Sequence, residues 1–400
     1  MFKTRQESSH TVLAKSLAEK VRKFVDELII PNEPQLNNDR NSTFHIHSQL
    51  ISQARSAGLW GLFYPLSYGG KIASLEDYLL IAEQEGRTEF SAAIFGSDTV
   101  VDAHMLAKFG SKAILKNFLE PMISGQAIPS YGMTEPERSG SIPALITTSA
   151  SLANGSWLIN GRKWFISNID RATFTTVLAR TAGENAALDN SLSMIIVPAD
   201  TPGFRIERKI SIMGSNLSQG EISFSNVTVP EQNLLGTCGS GTYLMSQRLG
   251  MGRLLRSMNW LGLAQRCMDL MGARIHSDRA KTARLADKQL VRQHFVNVYE
   301  AIASARELIR VAARHIDAQC ASDIEINVAK LAASRALCIA SDSAIQLYGA
   351  EGISDLTPLA SISRIARASR ILDGTAEALI SSTGRRLIHF YKENDGYQFI

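Results

Sequence analysis

Long apolar runs are missing from this chain of 400 residues. No stretch approaches the roughly 18 consecutive apolar residues that a membrane-spanning helix needs, so no such span is expected. Cysteine is scarce: Cys238, Cys267, Cys320 and Cys338 are the only four. Their wide spacing matches neither a zinc pattern nor a disulfide framework, and the expectation is reduced, buried thiols in a cytoplasmic protein. A strong charge of one sign is also missing. Net charge is +4 and no Lys/Arg block is dense, so nucleic acid is not an expected partner. The start, from Met1 to Glu7, shows no apolar leader segment. Hydrophobic residues make up 45% and charged residues 20%, which excludes a disordered chain or a fibre.

What is present changes texture twice. Residues 1–125 read as helices, with Val12, Leu13, Leu17, Val21, Phe24, Val25 and Leu28 at three- and four-residue spacings. Pro31 and Pro34 are expected to end that first helix. Residues 126–238 break into short β-rich runs between turn residues. Ser156–Ile159, Asn160-Gly161 and Arg162–Ile166 read as a hairpin, because Asn-Gly tolerates a type I′ turn. The runs 173–179, 192–198, 204–210 and 221–229 add strands and predict a small β-barrel or sandwich. Residues 239–400 return to helical spacing in four long patterns, which predicts an antiparallel four-helix bundle. The expected fold is therefore mainly α with a central β-domain.

Few glycine motifs carry chemistry. Gly236-Thr237-Cys238-Gly239-Ser240-Gly241 lacks the strand-to-helix setting of a dinucleotide fingerprint. His45-Ile46-His47 reads as a polar edge and no metal site is expected. Four other blocks matter more. They are Tyr131-Gly132-Met133-Thr134-Glu135-Pro136, Asn160–Ser167, Gln346–Gly352 and Ile371-Leu372-Asp373-Gly374-Thr375. Taken alone, Asp373-Gly374 is a turn in which Asp373 or Thr375 caps the next helix.

In this order and at these spacings, the four blocks resemble the acyl-CoA dehydrogenase flavoprotein family. The resemblance covers nearly the whole chain. It implies an N-terminal helical domain, a middle β-barrel and a C-terminal four-helix bundle. It also implies FAD as cofactor and an acyl-CoA or acyl-carrier thioester as substrate. An electron-transfer flavoprotein or equivalent acceptor is implied as partner. The assembly implied is a homo-oligomer, most often a dimer of dimers.

The resemblance assigns residues as well. Asp373 stands where the family usually carries the glutamate that removes the substrate's α-proton, the β-hydride then leaving to flavin N5. A carboxylate suits that task. Aspartate is one methylene shorter, and misplacement near 1 Å can cost about a hundredfold in rate. Tyr131, Met133 and Thr134 match the segment lining the flavin. Phe165 matches the stacking aromatic and Ser167 the hydroxyl near N5, with Trp164 expected on the opposite face. Arg279 matches a pyrophosphate contact. Gln346 and Gly349 match a segment that reaches FAD of a neighbouring subunit, and Thr375 and Glu377 match positions near its adenosine part. Ser141, Arg253 and Gly374 match substrate contacts, with Arg256 a neighbouring candidate. The block 137–142 departs from the family's commoner Ala-Gly-Ser-Asp. Two alternatives share the scaffold: a flavin oxidase or monooxygenase resembling nitroalkane oxidase, and a flavin-binding protein without turnover.

Overall fold

A computed structural model describes residues 9–37, 40–183, 187–213 and 215–393. The segment Met1–Glu7 lies outside the described residues. The chain forms two compact units. The helical unit takes residues up to 66, 70–97 and from 250 onward; the sheet unit takes 67–69 and 98–249. No helix among the described residues is long and apolar enough to cross a membrane.

The sheet unit holds β1 (Pro129–Gly132), β2 (Ser149–Ala153), β3 (Ser156–Ser167) and β4 (Phe174–Arg180). It continues with β5 (Leu192–Pro198), β6 (Phe204–Ile212), β7 (Ser215–Pro230) and β8 (Leu234–Leu235). The expected barrel or sandwich is one mixed sheet in the order β6-β7-β3-β2-β4-β5-β8, with β1 added parallel on β4. Alternation builds its core: Trp157, Ile159 and Ile166 of β3 pack with Val177, Ile195 and Ile222.

The expected hairpin at Asn160-Gly161 is corrected. β3 runs straight through both residues. The hairpin lies one step earlier, where Ala153 pairs with Ser156 and Asn154-Gly155 make the two-residue turn. Both have positive φ, 51° and 72°, as a type I′ turn requires. Asn160-Gly161 instead mark a β-bulge against β7, between Ile159 and Gly161. There Asn160 Oδ1 accepts from the Asn226 N–H at 2.7 Å, and a Cβ on Gly161 would sit 2.7 Å from Thr148 Cα. Two Asn-Gly dipeptides, separated by Ser156–Ile159, both satisfy hairpin chemistry, and close approach of Thr148 explains the second glycine.

The helical unit opens with α1 (Ser9–Phe24). Its buried face is Ala14, Leu17, Ala18, Val21 and Phe24, while Val12 and Leu13 are exposed. Pro31 and Pro34 do not stop the helix, which already passes into a π-helical turn at Val25–Ile29. They open two short helical pieces, where a missing N–H leaves no bond unmade. Helix α2 (Leu75–Glu85) is capped from far away: Asp317 accepts the N–H groups of Leu75 and Glu76 at 2.8 and 2.9 Å.

The later helices are α3 (Gly241–Ile275), α4 (Gln289–Asp317), α5 (Asp323–Tyr348), α6 (Leu359–Ser369) and α7 (Ala376–Glu393). Sequence spacing missed α6. Ser322 and Glu325 form a capping box at the start of α5. Ion pairs bind the early segment to α3: Arg266 to Glu33 at 2.6 Å, and Arg87 to Asp26 at 2.9 Å and Asp269 at 2.8 Å.

The end of α2 crosses α3 at Gly86 and Gly262. A Cβ on Gly262 would run into the Glu83 carbonyl, and one on Gly86 into the Asn259 backbone. Gly262→Ala gains about 1 kcal/mol of helix propensity. Overpacking against backbone costs about 1–3 kcal/mol and more here, because backbone cannot rotate aside. The expected net result is a lower denaturant midpoint; a midpoint equal to or above wild type would show that the crossing has slack.

Candidate active site

Asp373 lies in the helical unit, just before α7. Its backbone is left-handed, φ 56°, and Gly374 follows at φ 105°. Asp tolerates that region better than most residues, but it still carries a cost. Two cations hold the turn. The Arg253 Nε–H of α3 donates to the Asp373 carbonyl at 2.9 Å. The Lys330 ammonium of α5 donates to the Gly374 carbonyl at 2.7 Å. Arg253 also donates to Asn327 Oδ1 at 3.2 Å, and Asn327 donates to the Thr383 hydroxyl of α7 at 3.2 Å. Three helices thus fix one turn.

The carboxylate itself stays about a third exposed, with Arg256 Nε 3.7 Å from one oxygen. Among the described residues, the N–H groups of Asp373, Gly374 and Thr375 donate to no protein acceptor, whereas that of Ala376 bonds the Arg370 carbonyl at 2.9 Å. Thr375 Oγ1 accepts from the Ala378 N–H at 3.3 Å, so Thr375 is the residue that caps α7.

Burial shapes both cations. It pulls Lys330 down to about 8, with Asp373 and Glu377 opposing. It also pulls Arg253 below its ordinary value, again opposed by Asp373. Lys330 was not singled out from sequence. The signal was there: it shares the buried stripe of Ile326, Ala329, Ala333 and Leu337, where a cation is out of place.

Other expected residues of this unit make contacts of their own. Arg279 is exposed and pairs with Glu351, which Arg274 also meets at 3.2 Å. Gln346 is exposed near the end of α5. Gly349 ends α5 at φ 65°, with open space where a Cβ would stand. Glu377 is exposed, 3.7 Å from Arg370.

The sheet unit carries the remaining residues. Tyr131 is on β1, its hydroxyl buried without a hydrogen-bond partner among the described residues. The Arg248 guanidinium stacks 4.0 Å over its ring and is itself fixed by Asp102 at 3.0 Å. The Thr134 hydroxyl donates to the Trp164 carbonyl at 2.6 Å, and the Trp164 N–H returns a bond to the Thr134 carbonyl at 3.0 Å. That bridge ties the end of β1 to β3.

A buried ion pair reinforces it. Lys163, fully buried, donates to Glu135 and to the Met133 carbonyl, both at 2.9 Å. Glu135 also accepts from Thr147 and Thr148 at 2.7–2.8 Å. Burial alone would raise Glu135, but Lys163 and the two threonines outweigh it and hold it near 2. Burial lowers Lys163 to about 8 despite Glu135. Both lie inside the quoted motifs, yet neither was singled out.

Between Lys163 and Ile166 a second bulge breaks strand alternation, with Phe165 at φ 52°. Trp164 is consequently not sent to the opposite face: its ring meets that of Phe165 edge-on at 4.9 Å. Phe165 is 45% exposed. The Ser167 hydroxyl accepts from Gln219 at 2.6 Å and retains its own proton to donate. Ser141 is exposed, its hydroxyl 3.0 Å from that of Ser139.

With this geometry in place, comparison with known proteins identifies the class. Family models match in three stretches: acyl-CoA dehydrogenase N-terminal domain over 13–126, middle domain over 130–227 and C-terminal domain over 239–388. A probable acyl-CoA dehydrogenase, FadE2, of Mycobacterium tuberculosis is 35% identical over 85% of each chain. Acyl-CoA dehydrogenase family member 11 of Mus musculus is 32% identical over 92% of this chain and 49% of the relative. This chain therefore spans about half the length of that relative. The solved structure of a putative acyl-CoA dehydrogenase from Mycobacterium abscessus superposes with a TM-score of 0.87 at 27% identity, covering 97% of this chain and all of that one. The chain belongs to the acyl-CoA dehydrogenase family.

The Glu135–Lys163 pair sets an acid limit on stability. The carboxylate's folded value, about 2, is below its ordinary 4.5. Its contribution is complete above pH 4.5 and is lost as pH falls from there towards 2. Glu135→Gln leaves Lys163 as an unpaired buried ammonium, at a cost of about 3–5 kcal/mol near neutral pH. Denaturation curves across that range should show a flatter acid limb in the variant; an unchanged acid slope contradicts the pair's role.

Proposed function

We propose that this protein is an FAD-dependent acyl-CoA dehydrogenase that converts an acyl thioester to its trans-2-enoyl form, with Asp373 as the base. The observation that carries this is the Asp373 turn: a partly exposed carboxylate on a backbone held by the buried Lys330 and the half-buried Arg253, beside N–H groups that find no protein acceptor among the described residues. The residues present fit a flavin. Phe165 displays an apolar ring on a strand, Ser167 has a hydroxyl proton to donate, and Tyr131 has a buried hydroxyl without a partner among the described residues. Tyr131, Met133, Thr134, Phe165 and Ser167 would hold the ring. Arg279, Gln346, Gly349, Thr375 and Glu377 are proposed for the rest of the cofactor. When bound, FAD supplies the two-electron acceptor for the β-hydride.

The chain's own residues have three tasks. Asp373 takes the α-proton. Its N–H, which finds no protein acceptor among the described residues, would donate to the thioester oxygen, where charge develops; such a donor is typically worth about 3 kcal/mol. Arg253, by bonding the Asp373 carbonyl, fixes the orientation of both groups. Ser141, Arg253 and Gly374 are proposed as substrate contacts. An electron-transfer flavoprotein or equivalent acceptor is the proposed partner, and a homo-oligomer that shares FAD between subunits the proposed assembly.

Asp373→Asn keeps the size and removes the base. Anaerobic mixing with a reactive acyl-CoA should show flavin reduction slowed by about 10²–10⁴-fold. The FAD content of the variant should match wild type. Equal reduction rates would remove Asp373 from the role.

A further inference from the structure

We propose that Lys330 is a positioning residue for Asp373, holding the turn after the base through its bond to the Gly374 carbonyl; this rests on Asp373 acting as the base. The ammonium is fully buried and its stem crosses the core stripe of α5. Its hydrogen-bond partner is one backbone carbonyl, 2.7 Å away, and the Trp260 ring lies 5.6 Å from it. Taking an ammonium out of water for a single carbonyl is a poor way to stabilise a fold. Methionine in the same space would fill it without desolvating a charge, and such exchanges are often neutral or stabilising.

The geometry gives the charge a different use. Asp373 and Gly374 are consecutive positive-φ residues, and their carbonyls point at Arg253 and Lys330 respectively. Arg253 restrains one peptide of the turn and Lys330 the next. With Lys330 gone, the Gly374 peptide can rotate, since glycine resists little. The Asp373 carboxylate and N–H then lose their fixed aim. Asn327, one turn from Lys330 on α5, already locks Arg253, so the two restraints come from one helix face.

A thioester without β-hydrogens, 3,3-dimethylbutyryl-CoA, isolates the step. The base removes an α-proton and solvent returns a deuteron, with no hydride transfer. Exchange in D₂O is followed by NMR on the FAD-loaded protein for wild type, Asp373→Asn and Lys330→Met. Wild type should exchange and Asp373→Asn should not. Lys330→Met should exchange about ten- to a hundredfold more slowly, as for a base misplaced by up to about 1 Å. Its half-saturating thioester concentration and melting temperature should stay near wild type, which a purely structural role would not produce.

Wild-type exchange in Lys330→Met, with Asp373→Asn inactive, overturns the positioning role and leaves the base intact. Exchange in Asp373→Asn, or none in wild type, overturns the base and this inference together. If Lys330→Met is also less stable, Lys330→Arg decides: recovery of exchange with a cationic donor supports the role, and equal loss contradicts it.

Discussion

The hydrogen bond between a cationic side chain and a backbone carbonyl, made twice in succession by half-buried Arg253 and buried Lys330, fixes the turn on which the proposed site depends. Arg253 and Lys330 reach from α3 and α5 to neighbouring carbonyls of a left-handed turn. A strained backbone residue costs of order 1–3 kcal/mol and persists only where its surroundings over-determine it. Hydrogen bonds from charged donors are worth about 1.5–3 kcal/mol each, enough to fix the turn. Asn327 and Thr383 extend the restraint to α7, so the bundle packs around the turn's conformation. The result leaves the Asp373 carboxylate about a third exposed, with only the Arg256 contact at 3.7 Å, while its carbonyl is held by Arg253.

The sheet unit uses a comparable device. Lys163 is buried to anchor the Met133 carbonyl and Glu135, which fixes the end of β1 against β3. The adjacent bulge then turns Phe165 outward. Here the cation is hydrogen-bonded to a carboxylate, whereas Lys330 bonds a carbonyl and feels Asp373 and Glu377 only through charge. Both units therefore place a lysine in the core to aim backbone, and in both the neighbouring side chains are those matched to the family's flavin and base positions.

Much of the fold was legible in sequence because apolar spacing reports directly on burial. The strands from 174 to 198 fall within a residue of their expected bounds. Three misplacements have physical causes. Asn160-Gly161 satisfies hairpin chemistry, but so does Asn154-Gly155, and only pairing partners choose between them. Trp164 obeyed period-2 alternation on paper, and a bulge with positive φ at Phe165 cancelled it. The prolines after α1 predict a stop, whereas at first-turn positions they are compatible with helix. In the site, the motif blocks pointed to Asp373 and the β1–β3 segment. Lys330 escaped because its partner is a backbone carbonyl 44 residues away, which no side-chain pattern encodes.

The central claim is that the Asp373 turn presents a base to an acyl thioester in a flavin-loaded protein. Anaerobic titration of the purified protein with acyl-CoAs of graded length and branching, followed by flavin absorbance, tests it most directly. The account predicts bleaching by one class of chain and little response to the others. A bound flavin that no acyl-CoA bleaches would contradict it.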